Sequence, residues 1–234
     1  MASKGLTPAK FSLQRVNEMS LREKINVLIT QARYDELVNM ALRDKGAIKY
    51  ILRHLYHPFG IERWQAIEGL GRVCAALVHT EPETVKELIR RLLWSMNDES
   101  GTTGWSAPEA IGEIIYRCPD KFQEFISIVV HASEEEIFHR GIAWALGRIG
   151  QLRPEMVQEF IPLLISFTGH TRPEVRGYAA WALGQIGASE AVPKLAQLQH
   201  DHAQVELYEK QKIIYKSVGQ LASTALHQIN NRIS

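Results

Sequence analysis

The chain has little cysteine: two residues in 234, Cys74 and Cys118, with no CxxC pair. That excludes a disulfide framework and a cysteine-rich zinc site. Both lie in apolar helical patterns and read as buried free thiols. Long apolar runs are missing as well. The longest, such as FIPLLISF, are far too short to span a bilayer. The opening MASKGLTPAKFSLQ holds no apolar stretch of signal-peptide length. A soluble cytoplasmic protein is expected, with no membrane partner. An excess of one charge is also absent. Net charge is +1, which makes no global case for a polyanion, so nucleic acid is not the expected partner. Residues 1–60 hold 10 Lys/Arg against 5 Asp/Glu, and the remainder 17 against 21. The basic N-terminal part reads as a solvated face.

Catalytic templates are lacking too. There is no Gly-rich phosphate loop, no G-x-S-x-G elbow and no HExxH. The nine histidines are scattered. His200 and His202 are close in sequence, but i, i+2 residues do not share a helix face. No catalytic residue, metal site or cofactor is assigned on these grounds.

What the chain does have is repetition. HRGIAWALGRIG (139–150) and VRGYAAWALGQIG (175–187) are nearly the same text, with Leu146-Gly147 and Leu183-Gly184 set 37 apart. Upstream, ERWQAIEGLGRV supplies Leu70-Gly71, 76 before Gly147, and GWSAPEAIGEII fills the gap with Ile111-Gly112. Four units follow, with Gly71, Gly112, Gly147 and Gly184 in register. Three further positions agree: Ala66, Ala107, Ile142 and Ala179; Ile67, Ala143 and Ala180, with Pro108 the exception; and the β-branched Val73, Ile114, Ile149 and Ile186.

Each unit continues into a second apolar-periodic stretch: PETVKELIRRLLWSM, PDKFQEFISIVV, RPEMVQEFIPLLISF and SEAVPKLAQLQ. Three of them begin on Pro with acids in the first turn, a helix-start signature. The unit is therefore helix–turn–helix. One such pair cannot bury its apolar stripe alone, so neighbours must stack. Within the second stretches, Trp94 reads as core beside Leu92 and Leu93. MNDESG (96–101) reads as a polar turn and not as a cation site.

The ends differ from the repeats. Residues 1–58 read as N-terminal capping helices, with a Ser20…Glu23 capping box ahead of an apolar run. Residues 59–200 hold the four repeats. Residues 201–234 complete one continuous domain: VELYEKQKIIYKSV alternates around Lys210-Gln211-Lys212, predicting a short β-hairpin near 204–216, and GQLASTALHQI predicts a closing helix.

The pattern V-R-x-x-A-A-x-A-L-G-x-I-G of Val175 to Gly187 resembles the HEAT-like repeats of the phycobilin-lyase type, over about residues 60–200. The second unit departs from it at Pro108. Small bacterial HEAT-like repeat proteins resemble this chain most. The resemblance implies an all-α fold, an α-solenoid of helical hairpins, here with a short C-terminal β-hairpin. It specifies architecture far better than function. Phycobilin lyases need pigment-bearing partners, to which nothing in this sequence points. In HEAT-like proteins that bind iron, His-Glu dipeptides do so, and no His precedes Glu here.

In each first helix one stripe is core, as in Val175, Ala179, Leu183 and Ile186. The resemblance implies that the other stripe lines the concave surface. Across the units its columns read Trp64, Trp105, Arg140, Gly177; then Gln65, Ser106, Gly141, Tyr178; then Glu68, Glu109, Trp144, Trp181; then Arg72, Glu113, Arg148, Gln185. Four of the five tryptophans share this face. Either they pack between helices and close a narrow superhelix, or they line a binding groove. The expectation taken forward is a non-enzymatic scaffold whose groove, lined by Trp64, Glu68, Trp105, Glu109, Arg140, Trp144, Tyr178 and Trp181, holds a protein or peptide segment.

An enzymatic alternative comes from a second resemblance. HEAT-like alkylpurine DNA glycosylases use Trp, Asp, Arg and Trp in successive repeats. Trp105, Glu109, Arg140 and Trp181 are similar, with Glu109 in place of Asp as the catalytic carboxylate. The strong basic surplus that DNA binding draws on is missing.

Overall fold

The apolar-periodic stretches fold as helices in the computed structural model, which describes residues 19–57, 59–96 and 105–233. Three come first: α1 (Leu21–Thr30), α2 (Tyr34–Arg43) and α3 (Gly46–Arg53). The capping box forms as the sequence predicts. Ser20 Oγ accepts from the Glu23 amide, and the Glu23 carboxylate accepts from the Ser20 amide at 2.8 Å. Residues 1–18 and 58 of the expected cap, and the polar turn over 97–101, lie outside the described residues.

The first helices of the four units are α4 (Ile61–Leu77), α6 (Ala107–Arg117), α9 (His139–Gly150) and α11 (Pro173–Ile186). They stack side by side in that order, with α2 on α4 at one end and α13 (Val218–Ile233) on α11 at the other. The second helices form an outer layer: α5 (Pro82–Met96), α7 (Pro119–Phe122) with α8 (Phe125–His131), α10 (Ile161–Phe167) and α12 (Val192–Leu198). Of these, α5, α10 and α12 each pack on the first helix that follows. Two layers built from neighbour contacts are an α-solenoid.

One core runs along the stack, and Val175, Ala179, Leu183 and Ile186 are all buried in it. The recurring glycines explain how closely the row packs. A Cβ on Gly112 would lie 2.5 Å from Ala145 Cβ and 2.7 Å from its Cα. On Gly147 it would lie 2.8 Å from Ala182 Cα, and on Gly184 2.6 Å from Ala225 Cα. Gly71 holds the same place against the Glu113 side chain, at 2.5 Å from Cγ. Each unit therefore meets the next through a position that has no room for a side chain.

The second helices depart from the sequence reading in several places: the second unit's stretch splits into α7 and α8, and the fourth opens on a turn at Ser189–Ala191. In the third unit the stretch breaks into turns at Pro154–Met156 and Gln158–Phe160 before α10 begins. Pro162 is the reason: with no N–H it fits only the first turn of a helix, and α10 starts one residue ahead of it. Trp94 is not core but 78 % exposed. The buried face of α5 is Val85, Leu88, Ile89, Leu92 and Met96, and residue 94 falls off that stripe. Both thiols are buried and free, and burial pushes the Cys74 thiol up.

The β-hairpin forms where expected, with β1 (Gln204–Glu209) antiparallel to β2 (Lys212–Ser217) and Glu209 opposite Lys212. The two turn residues, Lys210 and Gln211, both have positive φ, 49° and 63°. Such tight turns favour Asn-Gly, so these side chains sit in a backbone region they rarely adopt.

Two outcomes follow from this packing. Gly112→Ala is expected to lower stability by about 1–3 kcal/mol through overpacking, against the ~1 kcal/mol that alanine adds to an unobstructed helix. Gly169→Ala, whose nearest contact is 3.7 Å away, is expected to stay within ~0.5 kcal/mol; urea unfolding measures both. The second outcome concerns His54 and His170, which burial holds below the ordinary histidine range. The folded chain therefore takes up these protons at lower pH than the unfolded chain, whose histidines titrate at about pH 6.5. Stability is thus expected to fall as pH drops through and below that value, measured as the urea midpoint at pH 7.5 and pH 5.5.

Candidate functional site

The tryptophans of the inner stripe come together across the units. Trp64 meets Trp144 at 5.2 Å between ring centroids, and Trp144 stacks on Trp181 at 6.4 Å and 13°. Tyr178 meets Trp181 edge-on at 6.4 Å. Trp64 belongs to the first unit and Trp144 to the third. Alternate units can touch only if the row of helices curves tightly toward this face. Trp105 stands apart, 40 % exposed and in no ring contact among the described residues.

The chain itself covers this face. Tyr208 of β1 lies flat on Trp64, with centroids 5.6 Å apart and planes within 4°. Its hydroxyl donates to Glu68 Oε2 at 2.9 Å, and the Tyr34 hydroxyl reaches the same oxygen at 3.3 Å. The Tyr178 hydroxyl donates to the carbonyl of Glu206 at 2.8 Å. Val205 and Leu207 are buried, and Gly177 leaves room for Val205, whose Cγ2 would lie 2.8 Å from a Cβ there. Burial pushes the Tyr34 phenol up to about 12, and it raises Tyr178 and Tyr208 as well. All three hydroxyls therefore stay protonated near neutral pH.

Accessibility along the groove follows from this cover. Trp181, Glu68 and Arg140 are partly exposed. Trp64 and Tyr178 are buried, Trp144 is 6 % exposed and Glu109 is fully closed off. The columns alone do not disclose this, because the covering strand lies more than 130 residues downstream of Trp64.

Glu109 is held by two arginines. Arg63 pairs with its Oε1 and donates from Nε to Ser106 Oγ at 2.6 Å; Arg140 Nη2 stands 3.4 Å from the same Oε1. The Arg63 guanidinium also lies over the Trp64 ring, 4.3 Å from its centroid. Gly141 makes the space: a Cβ there would fall 2.6 Å from Glu109 Oε2. Burial lowers the Arg63 pKa, and the Glu109 charge opposes that shift. Glu109 is thus the centre of a buried ion cluster, without the access to solvent that a lesion-binding carboxylate needs.

A second cluster borders the tryptophans. Glu113 accepts from Arg117 Nε at 2.6 Å and from Arg148 Nε at 2.7 Å. Glu68 accepts from Arg72 Nη2 at 2.8 Å, and Arg148 stacks over Tyr116 at 3.7 Å. Charge alternates along the row from Arg72 to Glu113 to Arg148, as the fourth sequence column already shows. Arg63, Tyr34 and Tyr208 were not legible as site residues. Arg63 precedes Trp64 and falls between the columns, and the two tyrosines lie outside the repeats.

Between the tryptophan floor and the hairpin tip an open pocket of about 510 Å³ remains. Trp64, Trp144 and Trp181 line it with Leu207 and Tyr208; Glu68, Glu113, Arg148 and Gln151 form one polar wall, and Lys210 and Lys216 another. Such a mixture of flat aromatic surface and fixed polar groups suits recognition of a small ligand or a few residues of a chain.

The buried pair yields a prediction. Glu109→Ala leaves the Arg63 guanidinium enclosed without its carboxylate, and is expected to cost about 3–5 kcal/mol. Adding Arg63→Met to that variant should recover most of the loss, read from urea denaturation of the single and double variants.

Comparison with known proteins agrees with the architecture. Residues 122–208 match the family model for HEAT repeats. An uncharacterized protein of Archaeoglobus fulgidus is 26% identical over 177 residues, spanning 73% of this chain and 91% of its own. The crystal structure of an engineered protein covers 91% of this chain and 98% of its own, at 17% identity and a TM-score of 0.47. The stretch of the solenoid that is similar to HEAT repeats is residues 122–208, from the end of α7 to β1.

Proposed function

We propose that the protein is a non-enzymatic scaffold that binds a segment of a partner protein along its inner face. The observation that carries this reading is the pocket of about 510 Å³ floored by Trp64, Trp144 and Trp181. Aromatic residues in a recess ringed by polar groups are what the centres of protein interfaces are built from. Trp181, Glu68 and Arg140 are the groove residues a partner meets first. Glu109 takes the part of a buried support beneath Arg140 and Trp64. No helix among the described residues is long and apolar enough to cross a membrane, and a cytoplasmic protein partner fits the near-neutral charge.

The test is a display screen of random peptides against the purified protein. Enriched peptides are expected to lose ~2 kcal/mol or more of affinity on Trp181→Ala and to show little salt dependence. Trp94→Ala, on the outer layer, is expected to change nothing. The enzyme alternative is tested alongside with a short DNA duplex at low and at physiological salt. Tight, steeply salt-dependent duplex binding that disappears in Arg140→Ala would overturn the scaffold reading.

A further inference from the structure

The inner face already holds an extended strand, and the way it holds it is specific. Val205 and Leu207 fill apolar positions beside α11 and α13, while Tyr208 lays its ring on Trp64 and its hydroxyl on Glu68. The Glu206 carbonyl takes the Tyr178 hydroxyl. Main-chain bonding together with side-chain sites at set positions is how domains recognise extended peptides. We propose that β1 is a resident occupant of the groove, and that the partner is an extended segment which displaces it, carrying apolar, any, apolar, then tyrosine in the manner of Val205 to Tyr208. The proposal rests on the groove-binding reading above.

Three features make β1 displaceable. The hairpin has only two strands, a unit that is marginal without support. Its outer strand gains little from the body: Tyr215 is exposed, and Ile213 and Ile214 are half-buried. Its tip holds Lys210 and Gln211 at positive φ, a strain that opposes closure. The base, by contrast, is fixed. The Val218 amide donates to the Ala203 carbonyl at 2.9 Å, and the Gly219 amide to the Asp201 carbonyl at 2.8 Å. The hairpin can therefore open at its strained turn and free β1 from the groove while α13 stays in the stack. The space for a first encounter is the pocket of about 510 Å³ beside Tyr208.

The probe is a blocked synthetic peptide of sequence AQVELYEK, residues 203–210, with a control that has alanine for tyrosine. It is titrated into the full chain, into Tyr208→Ala, which loosens the strap, and into Lys210→Asn/Gln211→Gly, which gives the turn residues it favours and tightens it. Affinity is expected to be at least tenfold higher for Tyr208→Ala than for the unaltered protein, lower again for the turn variant, and absent with the control peptide. Amide exchange of β1 and β2 is expected to outpace that of α9 and α11. Equal affinity across the three proteins would overturn the proposal. So would no binding to a helical, folded Tyr208→Ala. If that variant fails to fold, the turn variant and the exchange rates decide, and hairpin amides that open only with global unfolding reject the strap. Displayed peptides that need Trp181 but ignore both hairpin variants would reject the strap and leave the groove standing.

Discussion

The close crossing of successive first helices, glycine of one unit against alanine of the next, sets the geometry that everything else uses. Gly112 on Ala145, Gly147 on Ala182 and Gly184 on Ala225 bring backbones together where any side chain would collide. Close approach along one edge of a helix row, with bulky second helices along the other, forces the row to bend toward the crowded edge. The bend carries Trp64 of the first unit to Trp144 of the third. The face so formed holds the strand β1 and beside it an open pocket of about 510 Å³. The small residues thus fix the curvature, and the curvature fixes what the aromatic face can hold.

Charge is arranged to survive this enclosure. A carboxylate drawn into such a groove alone carries a desolvation cost of several kcal/mol. Glu109 meets it with Arg63 and Arg140, and Glu113 with Arg117 and Arg148. Both acids bridge adjacent units, so each stitches the inner edge of the stack where the glycines leave no apolar bulk to bury. Arg63 serves twice, as partner to Glu109 and as a cation over Trp64. This explains why the residue types that looked catalytic in sequence do structural work at the second unit.

Much of the fold was legible because it repeats. The glycine register, the core stripe of Val175, Ala179, Leu183 and Ile186, the capping box at Ser20 and the hairpin all follow from spacing and period. The failures are local or long-range. Trp94 sits beside Leu92 and Leu93 in an apolar stretch, yet its helical position, two past Leu92, turns it outward. Pro162 shortened a helix whose apolar pattern was longer. The shared face of Trp64, Trp144, Tyr178 and Trp181 was legible from the columns, while its covering was not. Which segment covers it depends on a contact between Tyr34, Glu68 and Tyr208, residues far apart in sequence with no pattern joining them.

An aromatic stripe of this size is a liability on a bare surface, because exposed apolar patches promote association. The hairpin covers this stripe, with Tyr208 on Trp64 and the Glu206 carbonyl on the Tyr178 hydroxyl. It offers the tryptophans a strand whose contacts are good enough to cover them, yet its own stability is limited by two strands and a strained turn. A resident occupant lowers the apparent affinity for any competitor by the fraction of time it stays seated. On the displacement proposed above, a segment would have to match the sites for Val205, Leu207 and Tyr208 better than the tethered strand does, despite the strand's advantage of being always present. Small residues let the first helices cross closely, the curved row brings Trp64 to Trp144 and Trp181, and the chain's own strand lies over them.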